Sequence, residues 1–118
     1  MADVEARVEL NYLLDFYGPL LTEHRREVLR LYCEEDLSLS EIAAQLGITR
    51  QGAGDALNKG RRQLADYEEK LWLAGRYRAL GEEAKRCMDA LNGVRAEGED
   101  RERIRQAQQA LENILRER

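Results

Sequence analysis

The sequence predicts an all-α protein: a helix-turn-helix bundle with a long fourth helix and a C-terminal helical pair. Three observations carry that expectation. A capping signal, a glycine stop and a second cap follow one another within residues 38–49. Apolar residues recur at helical spacing through the remaining segments, with no alternating strand pattern. The composition is 43% hydrophobic and 36% charged with one proline, the mix of a strongly helical chain. At 118 residues the chain can bury one modest core.

In the first helix Leu10, Leu13, Leu14 and Tyr17 fall at i, i+3, i+4 and i+7, one amphipathic face. Gly18 and Pro19 stop it, because proline disfavours helix in the residue before it. Thr22 is the expected N-cap of a second helix, with Glu23 near its positive end. Its predicted buried stripe is Leu21, Val28, Leu29 and Tyr32, and residues 34–36 (EED) close it as an acidic loop.

Next comes LSLSEIAAQLGITRQGAGDALNKGRRQL, residues 37–64. Ser38 stands three residues before Glu41, the spacing of a capping box. Ile42, Ala43 and Leu46 share a face, and Gly47 suits a left-handed helix end. Ile48 plugs the turn and Thr49 caps the following helix. Two readings fit: a helix-turn-helix whose second helix enters a DNA major groove, or an ordinary helical hairpin in a bundle. The first requires Ile42, Leu46, Ile48 and Leu57 to share one interior while Arg50 and Gln51 face water.

The long helix is expected from about Arg50 into the seventies. Leu57, Leu64 and Leu71 repeat every seven residues, followed at three by Gly60, Tyr67 and Ala74. This seam could join two copies in a coiled-coil homodimer or pack on the chain's own helices, and Gly60 weakens it. Beyond it, one helix holds Ala84, Cys87, Met88 and Leu91 and ends at Asn92-Gly93. Another follows Gly98 and holds Ile104, Ala107, Leu111, Ile114 and Leu115. The short connection predicts an antiparallel pair. The organisation is thus a helix-turn-helix domain over 1–80 and a helical hairpin over 81–118 that packs on it or extends it.

Charge is unevenly distributed. Residues 1–49 carry a balance of −6, residues 50–62 of +3 and residues 63–118 of −1. The acidic whole argues against strong nonspecific nucleic-acid binding, while the one positive excess falls on the candidate recognition helix. In a groove, Arg50 and Gln51 of the first turn would meet base edges. Ser40 and Thr49 could donate to phosphate oxygens, and Lys59, Arg61 and Arg62 lie where phosphates would be. Asp55 would repel the backbone unless it pairs with Lys59, four residues on. The C-terminal arginines 101, 103, 105, 116 and 118 interleave with Glu97, Glu99, Asp100, Glu102, Glu112 and Glu117, the pattern of a solvated surface.

Catalysis and cofactors are not expected, and no metal site is read. The single histidine, His24, lies among arginine and glutamate near a cap. There is no phosphate loop, zinc spacing or nucleophile elbow. Glu68 and Glu69 are adjacent and point to different helix faces, which does not suit paired acid–base work. Cys33 and Cys87 read as two reduced, buried thiols. No apolar run approaches the ~20 residues of a membrane span, and MADVEARVEL has no apolar signal core. A cytoplasmic protein is expected, with no membrane insertion.

Residues 22–64 resemble region four of bacterial sigma factors. The likeness is closer to the YlxM family of helix-turn-helix proteins. It runs from LNYLLDFYGPLLTEHRR through SLSEIA and TRQ to LADYEEKLWL, roughly residues 8–80, about two-thirds of the chain. The resemblance implies a sigma region four-like bundle. It also implies a regulatory role in the signal recognition particle pathway. Relatives tend to carry Arg-Gln-Ala-Val-Tyr at the start of the recognition helix, whereas this chain has Arg50, Gln51, Gly52, Ala53 and Gly54. Each helical glycine costs about 1 kcal/mol relative to alanine. The pair either lets a partner's backbone approach closely or makes the helix start late and lose base reading. Two functions stand: a DNA-binding regulator, dimeric through its long helix, and a non-catalytic accessory module that binds the particle's RNA or its GTPase proteins.

Overall fold

The computed structural model describes residues 2–116, with six α-helices and no strand among them. They are α1 (Ala2–Tyr17), α2 (Glu23–Cys33), α3 (Leu39–Leu46), α4 (Arg50–Leu71), α5 (Leu73–Asn92) and α6 (Glu99–Arg116). The chain divides into two compact units, Met1–Ala74 and Gly75–Arg118.

In the first unit α4 is the central rod, packed by α1, α2 and α3. Helix α1 ends at Tyr17, and Gly18–Leu20 form one 3-10 turn with Pro19 inside it. The Thr22 hydroxyl accepts the Arg25 N–H at 3.3 Å and starts α2. The core holds Tyr17, Val28, Leu29, Leu31, Ile42 and Leu64, all fully buried. The predicted stripe on α2 needs one correction. Leu31 is buried and Tyr32 only half-buried, because the Arg7 guanidinium lies 4.1 Å over the Tyr32 ring and holds it at the rim. Arg7 also pairs with Asp36, which sits in the left-handed region at φ 58° beyond α2.

The heptad seam is used within the chain. Leu57 and Leu64 are buried in this unit's own core, so a dimer seam through them is not available. Gly60 makes room for the core: a Cβ there would lie 2.7 Å from Leu29 Cδ1, so a side chain at this position would have to displace the fully buried Leu29. Leu71 is 46% exposed. The rod breaks directly after it, where Trp72 takes the left-handed conformation at φ 50°. Tyr17 and Glu68 hold that break. The Tyr17 hydroxyl donates to Glu68 Oε1 at 2.5 Å and accepts the Leu73 N–H at 3.0 Å. Glu68 Oε1 also accepts the Ala74 N–H at 3.1 Å. Burial and the Glu68 carboxylate push the Tyr17 phenol above its ordinary pKa.

The second unit is thinly packed. No residue of α6 is buried; Ile104, Leu111 and Leu115 are half-buried, and Ile114 is exposed. Gln108 donates to Asn92 Oδ1 at 2.9 Å, joining α6 to the end of α5. An open cleft of about 950 Å³ at that elbow is lined by Leu91, Val94, Ile104 and Arg101, among others. Cys87 is exposed on α5, which corrects the expectation of two buried thiols, and Cys33 is half-buried; both are free. The mixed-sign surface is seen in the pairs Arg105–Glu102 at 3.0 Å and Arg103–Asp100 at 3.8 Å. Glu117 and Arg118 lie outside the described residues, as does Met1.

Candidate nucleic-acid interface

Helix α3 begins at a complete capping box. The Ser38 oxygen accepts the Glu41 N–H at 3.2 Å, and the Glu41 carboxylate accepts the Ser38 N–H at 2.9 Å. Those bonds hold the Glu41 carboxyl below its usual range. Gly47 ends α3 at φ 68°, and the Ile48 N–H returns to the Ala43 carbonyl at 3.0 Å. Thr49 caps α4 by accepting the Gly52 N–H at 2.9 Å. Ile42 and Leu57 are buried, while Leu46 and Ile48 are half-buried and pack on the same core. The four apolar groups therefore share one interior, as a helix-turn-helix requires.

Helix α4 starts at Arg50, immediately after its cap. The late start allowed for by the two glycines does not occur. A Cβ at Gly54 would meet Leu39 Cδ1 at 3.7 Å, an ordinary contact, and one at Gly52 would lie 3.1 Å from the Thr49 hydroxyl. Neither glycine has a positive φ. Gly54 leaves the flank of α4 low, with no internal packing that demands it.

Ser40, Thr49, Arg50, Gln51, Lys59, Arg61 and Arg62 are all exposed. At about 100° per residue they divide into three sets round α4. Gln51 and Arg62 share the face opposite the buried line Ala53, Gly60 and Leu64. Arg50 and Arg61, three turns apart, share one flank, and Lys59 lies on the other. Ser40 belongs to the first turn of α3. Arg62 Nε donates to the Asn58 carbonyl at 3.5 Å, which draws its side chain back along the helix. Among the described residues Asp55 and Lys59 form no ion pair, so the pairing that would keep Asp55 from repelling a phosphate backbone is not made. Asn58, exposed on the same outward face, escaped the sequence reading; only its register with Gln51, seven residues on, could have found it.

Three side chains behind the interface fix the angle of α4. Arg25 Nη1 donates to Gln63 Oε1 at 2.9 Å, and Gln63 Nε2 donates to the Tyr67 hydroxyl at 2.9 Å. Tyr67 in turn donates to the Leu20 carbonyl at 3.4 Å. His24 is exposed on α2. Among the described residues no group of three or more His, Cys, Asp or Glu side chains is placed to hold a metal ion. No described helix is long and apolar enough to cross a membrane.

A family profile described as "Putative helix-turn-helix protein, YlxM / p13 like" (UPF0122) matches residues 4–112. The chain is 37% identical over 110 residues to a UPF0122 protein of Desulforamulus reducens, covering 93% of each chain. It is 40% identical over 91 residues to one of Clostridium kluyveri, covering 77% of this chain and 82% of the relative. A Bacillus cereus UPF0122 protein is 35% identical over 112 residues, covering 94% of this chain and 98% of its own.

Proposed function

The chain belongs to the UPF0122 family of YlxM-like helix-turn-helix proteins, and we propose that it is a non-enzymatic regulator that binds duplex DNA through α4. One observation supports this most directly: α4 is capped at Thr49 and presents Arg50 and Gln51 to solvent in its first turn. Those positions meet base edges when such a helix lies in a major groove. Thr49 and Ser40 would meet phosphates from the flanking turns, and Lys59, Arg61 and Arg62 from the length of α4. A homodimer sets two such helices on two half-sites. Its surface is the end of α4, where Leu71 and the 54%-exposed Trp72 are free of the core.

A second reading is favoured by the net charge of −4 and by the low flank at Gly54. In it the chain is an accessory module that binds signal recognition particle RNA or its GTPase proteins without reading a DNA sequence. Titrations of duplex DNA, the particle's RNA and its protein subunits at two salt concentrations separate the two. The regulator predicts selective duplex binding that falls steeply with salt. Binding confined to the RNA or to a GTPase subunit would overturn it. Arg50→Ala should weaken binding to a preferred duplex by about 1–3 kcal/mol if the guanidinium is bidentate to a base. Unchanged affinity in that titration would remove Arg50 from the role.

A further inference from the structure

The outward face of α4 carries Gln51, Asp55, Asn58 and Arg62 at i, i+4, i+7 and i+11, all exposed. They fall within a sector of about 60° centred opposite the buried face. Arg50 and Arg61 lie to one side of this stripe and Lys59 to the other. The middle of the stripe is thus a carboxylate between two amides, with cations at its edges and far end. Asp55 is exposed and forms no ion pair among the described residues.

That arrangement does not suit a phosphate track, because a bare carboxylate at its centre repels phosphate oxygens. It does suit base edges. An amide side chain can pair bidentately with adenine N6 and N7, and a carboxylate can accept from the cytosine N4 amine. Lys59 and Arg61 stand on opposite flanks of the stripe, so with the stripe facing the base edges of the major groove, about 12 Å wide, they face phosphates on its opposite walls. The major groove of double-stranded RNA is deep and narrow and admits no such helix.

The geometry points to Asn58 as a specificity-determining residue that reads a base edge together with Gln51 and Asp55 in the major groove of duplex DNA. This rests on the duplex-binding reading above and adds to it the residues that choose the sequence. Asn58 meets adenine, Asp55 meets cytosine or excludes guanine, and Arg61 and Arg62 hold the backbone without choosing a base.

The test starts from duplexes selected out of a random pool by the intact chain. A panel carrying every single base-pair change in the selected site is then titrated against the wild type, Asn58→Ala and the Arg61→Ala/Arg62→Ala double variant. Asn58 is exposed and helical, so alanine leaves the fold intact, and a thermal melt verifies it. Asn58→Ala should flatten the preference at one base pair by about fivefold or more, with the salt dependence unchanged. The double variant should weaken binding to every duplex alike and lower the salt slope by about 1–2. If Asn58→Ala keeps the wild-type preference at every position, the assignment of Asn58 falls while duplex binding stands. If no duplex is selected and an RNA hairpin binds instead, both readings fall.

Discussion

The two compact units differ in how much side chain they bury. Among the described residues the first contains every fully buried large side chain, from Tyr17 on α1 to Leu64 on α4. The second buries Ala84 alone among its described residues, less completely, and α6 contributes none. Three helices packed on one rod can enclose a core, whereas a unit of two helices leaves most of each stripe in water. The lesson concerns function as well as stability. The candidate reading surface stands on the unit whose core fixes it, where preorganised side chains can discriminate between bases.

Deleting core atoms should break this contrast most visibly. Leu64→Ala should destabilise the chain by about 2–5 kcal/mol, and Leu111→Ala by about 1 kcal/mol or less, read from denaturant midpoints. Equal losses would mean that the units share the load. Gly60→Ala comes next, at about 1–3 kcal/mol, because the new methyl must displace Leu29 or force α2 from α4. An alanine tolerated there without loss would contradict the close approach. Tyr17→Phe removes the bonds to Glu68 and to the Leu73 N–H and should cost about 1–2 kcal/mol. The same network gives a pH dependence. The phenol's pKa is raised in the fold, so its contribution is full below the ordinary tyrosine value and is lost as the pH rises through the folded value. The gap between wild type and Tyr17→Phe should therefore close at strongly alkaline pH. The smallest effect on stability, and the sharpest on chemistry, concerns the thiols. Burial pushes Cys33 up to about 11, which lowers its thiolate fraction about a hundredfold relative to an unperturbed thiol. Alkylation at pH 8 followed by mass spectrometry should label exposed Cys87 first, and equal rates would refute the burial of Cys33.

What could be read from the sequence was local. Ser38 with Glu41, Gly47 and Thr49 announced the turn because caps and left-handed glycines act within a few residues. The stop at Gly18-Pro19 was legible for the same reason. The distant effects were not. Gly60 looked like a flaw in a heptad, and only its meeting with Leu29 across the fold gives it a purpose. Glu68 looked like one of two idle carboxylates, yet it caps the chain after Trp72 through partners more than fifty residues away in sequence and six residues on. Leu64 fitted a dimer seam and a core equally well, since a periodicity of seven records a buried stripe but not what buries it. The seven candidate contact residues were legible as polar groups on one helix and its neighbours. Their division into an outward stripe and two flanks needed the position of the core, and that division is what brings Asn58 forward.

Backbone amide shifts recorded while a selected duplex is added test the central claim most directly. The account predicts that perturbations gather at Ser38 to Ser40 and along Thr49 to Arg62, leaving α5 and α6 quiet. Perturbations confined to α5 and α6, with the turn and the start of α4 unmoved, would contradict it.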